Sequence, residues 1–107
     1  MATNFAISVH RNGESVHLKL IGDFDGSSAY DLLHALKKCG HGASRIFVHT
    51  SPLRNIHSFG LSVFHDNLKL LGDRSLELVF TGDYGPRFVP EKCKALNLSI
   101  SAMALVA

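Results

Sequence analysis

The chain has 107 residues, 46% of them hydrophobic and 19% charged, which suffices for one domain that buries roughly two-thirds of its unfolded surface without a disulfide or a metal. A net charge of +2 comes from eleven basic and nine acidic residues scattered along the sequence, and with Lys37-Lys38 as the longest basic cluster and no tryptophan, a nucleic-acid partner is not expected. Met1 to Ser15 carries no charged-then-apolar signal pattern, and no apolar run approaches the roughly 20 residues of a spanning helix, so a single cytoplasmic domain over residues 1–107, with no membrane contact, is the expectation.

Residues 5–10 and 15–21 both alternate in hydropathy, and Asn12-Gly13 between them predicts a two-residue type I′ hairpin. Centring the turn on 12 and 13 pairs Val9 with Val16, Ile7 with Leu18 and Phe5 with Leu20 on one face, which leaves Ser8, His10, His17 and Lys19 on a face that meets water. After Gly22-Asp23-Phe24-Asp25-Gly26, Ser27 or Ser28 can cap a helix with a buried stripe of Ala29, Leu32, Leu33 and Leu36, ended by Gly40 and Gly42. Ile46-Phe47-Val48 is a continuous apolar run entered after a helix, the mark of a central parallel strand covered on both faces. A polar loop then leads through Ile56-His57-Ser58-Phe59-Gly60-Leu61 into a second helix from about Phe59 to Leu71, with Leu61, Phe64, Leu68 and Leu71 as its stripe and Gly72 as its stop.

Leu76 to Phe80 reads as the next strand and Thr81 to Pro86 as a turn-rich connection. A short helix around Pro90 to Leu96 follows, since proline suits a first helical turn, and Leu98, Ile100 and Ala102 alternate with Ser99 and Ser101 as a half-exposed last strand. The order is one hairpin followed by right-handed crossover units, an α/β domain with a mixed sheet of four to five strands.

The second helix puts one hydroxyl, Ser58, at its N-terminus. A plain N-cap is the simple reading of such a serine; the alternative is an anion held there by the free N–H groups and the helix dipole, as on a phosphorylated serine. Phe59 is expected to pack back onto the start of the helix, with an exposed binding anchor as the other reading. Seven histidines invite a metal, but His49, His57 and His65 fall on a strand end, a loop and mid-helix and match no ligand spacing. Cys39 and Cys93 share no CxxC pattern and are read as reduced thiols. Adjacent side chains rarely face each other, so His57-Ser58 makes a poor catalytic dyad, and Gly82-Asp83-Tyr84-Gly85 reads as a turn and not a phosphate cradle. No enzyme and no cofactor are expected.

Gly22-Asp23-Phe24-Asp25 after the hairpin and Ser58-Phe59-Gly60-Leu61 at the second helix, in this order and spacing, resemble the STAS domain (sulfate transporter and anti-sigma factor antagonist), especially its small bacterial antagonists. The first looks like the family's Gly-x-Leu-Asp and the second like its Asp-Ser-Ser/Thr-Gly-Leu. The resemblance implies a sheet with helices mainly on one face, and a regulator of transcription that works by partner switching. It implies phosphorylation of Ser58 by an anti-sigma factor that is also a serine protein kinase of the histidine-kinase-type ATPase fold, the phosphate's roughly −1.5 to −2 charges disrupting the docking. Asp25 is expected near that loop, so Asp25, His49, His57, Ser58, Phe59 and Gly60 form the implied partner surface, on a monomer or weak homodimer. His57 stands where the motif has aspartate, Phe59 where it has a second hydroxyl, and His49 where an acidic or amide residue often ends the preceding strand. These imidazoles, with ordinary pKa values near ~6.5, give the alternative: a non-phosphorylated STAS interaction or sensor domain whose His49/His57 loop binds another protein, a small anion or protons.

Overall fold

Alternation drives the first two strands together. In the computed structural model, which describes residues 4–40, 42–71, 76–89 and 98–103, β1 (Ala6–Asn12) and β2 (Ser15–Phe24) form an antiparallel hairpin. The pairs are Val9 with Leu18, Ile7 with Leu20 and Asn12 with Ser15, two positions from the register expected of an Asn12-Gly13 turn. The turn is centred on Gly13 and Glu14, and Gly13 takes φ +65°, the positive value that both primed hairpin turns require at their first central residue. Because side chains alternate with period two, this slip leaves each residue on its expected face.

β3 (Arg45–His49), β5 (Leu76–Thr81) and β6 (Leu98–Met103) continue the sheet in the order β1-β2-β3-β5-β6, each parallel to β2. A sixth strand, β4 (Leu53–Ile56), lies where a polar loop was expected. It pairs with β2 at Gly22, Asp23 and Phe24, beyond the stretch Ser15 to Lys19 that pairs with β3, so β3 and β4 divide one edge of β2 between them. The register shifts between Gly22 and Asp23, and Gly22 sits there at φ +95° with Asn4 so close that no side chain fits.

α1 (Gly26–Cys39) follows β2, α2 (Ser58–Asp66) follows β4, a 3₁₀ turn spans Leu68–Leu71, and α3 (Gly85–Phe88) follows β5. α1 buries the expected Ala29, Leu32, Leu33 and Leu36, and these meet Val16, Leu18 and Leu20 of β2, Ile46 and Val48 of β3 and Leu78 and Phe80 of β5 in one core. Each of these leucine, isoleucine, valine and phenylalanine side chains contributes about 1.5–3 kcal/mol by leaving water. Phe24, Phe64, Phe80 and Phe88 are fully buried and interlock, with Phe64 edge-on to both Phe80 and Phe88 at 5.8 Å and Phe80 stacked on Phe88 at 5.2 Å. α1, α2 and α3 thus all feed the same face of the sheet, as the resemblance implies.

The opposite face is more open. β3 alternates instead of being buried on both sides: Ile46 and Val48 are covered, whereas Phe47 and His49 are half-buried. The second helix is shorter than expected because its α-helical part stops at Asp66 and the chain tightens into the 3₁₀ turn before Leu71. The expected turn after β5 is present, with the Gly85 N–H donating to the Gly82 carbonyl, but it runs into α3, which the sequence reading did not contain. The expected helix over Pro90 to Leu96, Cys93 and the Gly72 stop lie outside the described residues. Among the described residues no helix is long and apolar enough to cross a membrane.

Candidate functional site

Two helix N-termini meet at one end of the sheet, and their chemistry differs. α1 is capped by Asp25, not by Ser27 or Ser28. Asp25 Oδ1 accepts from the Ser28 backbone N–H at 3.0 Å and from the Ser27 hydroxyl at 2.9 Å. The Ser28 hydroxyl lies 3.0 Å from the same oxygen and 3.1 Å from the Asp23 carbonyl, and donates to one of them at a time. The Ser28 N–H above all, helped by the two hydroxyls, holds this carboxyl far below the usual aspartate range. Asp25 is therefore a fixed anion in a fixed rotamer.

α2 begins differently. Its cap position is His57, in extended conformation (φ −91°, ψ 132°), and the imidazole makes no capping hydrogen bond. Ser58 is the first helical residue and not the cap. Its side chain is exposed, and its hydroxyl has no protein partner among the described residues. The first-turn N–H groups of α2 are thus left to solvent or to a ligand, in contrast with those of α1.

Backbone contacts set the spacing of the two termini. The His57 N–H donates to the Phe24 carbonyl at 2.9 Å, continuing the β4 ladder to the point where Asp25 begins. A Cβ on Gly60 would lie 2.8 Å from Asp25 C and O, so only glycine lets α2 approach the α1 cap this closely. Asp25, Ser58, Phe59 and Gly60 are in this way brought to one patch, Gly60 buried beneath it. Phe59 corrects the expectation that it packs inward: it is 72% exposed, and its ring lies over Gly26, where any Cβ would meet it at 2.9 Å.

His49 is not part of this patch. It pairs with Lys19 on β2, whereas His57 follows the pairing of Ile56 with Phe24, about 16 Å further along at 3.3 Å per residue. Its ring is engaged on the open face, with Nε2 2.9 Å from His17 Nδ1 and Nδ1 2.7 Å from Thr81 Oγ1. Burial, then the neighbouring His17 and Lys19, push the His49 imidazole below its ordinary value. His65 lies in the last turn of α2, its Nε2–H within reach of the Arg87 carbonyl at 3.1 Å. Among the described residues no group of three or more His, Cys, Asp or Glu side chains could hold a metal. Cys39 is a half-buried free thiol.

An α/β sheet with a leading hairpin and helices packed on one face is a STAS-like architecture. No protein-family model and no curated protein matches the sequence. Among solved structures the chain is similar to the anti-sigma factor antagonist SpoIIAA in its unphosphorylated form, with a TM-score of 0.60 and 13% identity over 94% of this chain and 90% of that one. It is also similar to the protein Mglu, with a TM-score of 0.58 and 18% identity over 83% of this chain, which spans only 20% of that one. An uncharacterised protein from Shewanella loihica PV-4 with a SpoIIAA-like fold gives 0.49 and 13% over 75% and 68% of the two chains. The SpoIIAA likeness covers nearly both chains and shows that this protein has the SpoIIAA, STAS-like fold.

Proposed function

We propose that this protein is a regulatory interaction domain of the anti-sigma factor antagonist type, binding an anti-sigma factor or serine protein kinase of the histidine-kinase-type ATPase fold through the patch at the N-termini of α1 and α2. The observation that carries this reading is the contrast between those termini: α1 is closed by Asp25, while α2 has no side-chain cap and presents an exposed Ser58 next to a Phe59 that is 72% exposed. An exposed aromatic on a rigid helix start is the kind of anchor that dominates a binding interface. A phosphate on Ser58 would meet uncapped N–H groups that favour it and would bring about −1.5 to −2 charges next to Asp25 and into the contact. Unphosphorylated protein docks and phosphorylated protein releases. The chemistry belongs to the partner kinase, and this chain acts by binding alone.

The fold likeness to an antagonist described in an unphosphorylated form supports the same reading. His57, exposed at the cap of α2, belongs to the docking edge; His49, held on the open sheet face by His17 and Thr81, does not. Incubation with candidate anti-sigma kinases and ATP, read by intact mass and site mapping, tests it. Incorporation at Ser58 that is lost in Ser58→Ala, together with release of the complex on phosphorylation, is the expected result. Complex formation indifferent to ATP, to Ser58→Ala and to Phe59→Ala would instead favour a constitutive interaction domain.

A further inference from the structure

The sheet face away from the helices carries a recess of about 360 Å³, lined by Ser8 and His10 of β1, His17 and Lys19 of β2 and His49 of β3. Its floor is aromatic and ordered. His17 stacks on Phe47 at 4.8 Å with 13° between planes and on His49 at 5.2 Å with 4°.

The hydrogen-bond chain through these rings has a definite polarity. Thr81 is 1% exposed, and its hydroxyl has one partner among the described residues, His49 Nδ1 at 2.7 Å. A buried hydroxyl that accepted from His49 would leave its own hydrogen without an acceptor, which is costly. Thr81 therefore donates to His49 Nδ1, the His49 Nε2–H donates to His17 Nδ1, and His17 is left with an N–H at Nε2, the ring nitrogen that no protein atom engages among the described residues. In this arrangement the recess meets a donor, the His17 Nε2–H.

Charge points the same way. Lys19 is the permanent ion among the lining residues, and none of them is a carboxylate. On the rest of this face, Arg45 of β3 and Glu77 of β5 neutralise each other at 2.8 Å, Asp23 lies further along β2, beyond the recess lining, and accepts from the Asn55 amide, and β6 carries no titratable residue. A cation is the wrong guest, since Lys19 repels it and among the described residues no three His, Cys, Asp or Glu side chains are placed to hold a metal.

We propose that this recess binds a small phosphate-type oxyanion, held by the Lys19 ammonium, the His17 Nε2–H and the side chains of His10 and Ser8. The site stands apart from the Ser58 patch and does not depend on the role given to it. Burial, His17 and Lys19 disfavour the charged form of His49 and a bound anion favours it, so for a given ionisation state of the phosphate, binding strengthens as the pH falls.

Imidazole and lysine side-chain resonances followed by NMR, while inorganic phosphate or methyl phosphate replaces sodium chloride at constant ionic strength, test the proposal. Saturable shifts confined to His10, His17, Lys19 and His49 are expected, with tighter binding of one probe assigning the site to the free ion or to an ester. Loss of one charge-assisted hydrogen bond in Lys19→Gln, or of the donor in His17→Phe, which keeps a ring on Phe47, weakens binding by about tenfold. Backbone amide spectra that match the parent confirm that both variants fold. Shifts that fail to saturate, that appear equally at the exposed His34, or that survive both substitutions unchanged would overturn it.

Discussion

Gly60 and Asp25 fix the geometry of the α1–α2 patch through main-chain contact. With Asp25 backbone atoms 2.8–2.9 Å from any Cβ at position 60, Gly60→Ala has to push α2 away from the α1 cap, since backbone, unlike a flexible side-chain tip, does not give way. A loss of about 1–3 kcal/mol, read as a lower urea midpoint at unchanged slope, is expected, along with loss of partner docking. Asp25→Ala removes the only side-chain cap of α1 seen here and should cost about 1 kcal/mol at neutral pH. The folded carboxyl titrates well below its ordinary 3.8, so the unfolded chain takes up its proton first. The gap between parent and variant is therefore full above that value and closes as the pH falls below it, which acid-range urea titrations of the two proteins would reveal.

At the scale of elements, α2 has two faces with different tasks. Phe64 is fully buried against Phe80 and Phe88, so Phe64→Ala is expected to cost about 3–5 kcal/mol. Phe59, one turn earlier and mostly exposed, should change stability by no more than about 0.5 kcal/mol when cut to alanine while weakening the docking for which it is proposed. Paired denaturation and binding measurements on the two variants separate a core aromatic from a contact aromatic. The inward stripe of α2 was legible because it repeats at helical spacing; the direction of Phe59 was not, because a first-turn residue belongs to no stripe and its contact, Gly26, lies on another helix. Likewise Leu53-Arg54-Asn55-Ile56 gives no strand signal by itself. It becomes β4 only because β2 outruns β3 and offers an unfilled edge, a non-local fact. The hairpin faces could be read although the register slipped by two, since a slip of two conserves parity. That same parity, applied across to β3, would have set Phe47 and His49 beside His17 on the open face and kept His49 out of the Ser58 loop.

Among the described residues the molecule is one sheet with a packed face and a half-open one, and its response to pH follows from which groups each holds. His49, on the open face, is kept below its ordinary 6.5; the unfolded chain binds that proton more readily, so stability is full above 6.5 and declines as the pH drops beneath it. The expected signature is a urea midpoint that falls between pH 7.5 and 5.5 in the parent and falls less in His49→Gln, with Asp25 adding a second decline below 3.8. Phosphate, if it occupies the recess beside Lys19, should flatten the first decline and leave the second untouched.

Main-chain bonds from β2 hold β4 and the start of α2: Ile56 pairs with Phe24, and the His57 amide closes on the same residue's carbonyl. Side chains at 57, 58 and 59 contribute nothing to that anchoring, so natural drift or an engineer can rewrite them freely while the cradle keeps its shape. On the function proposed above the segment serves as an exchangeable reading head, and a chain with His57 and Phe59 there keeps the STAS-like fold and opens a route to retargeting.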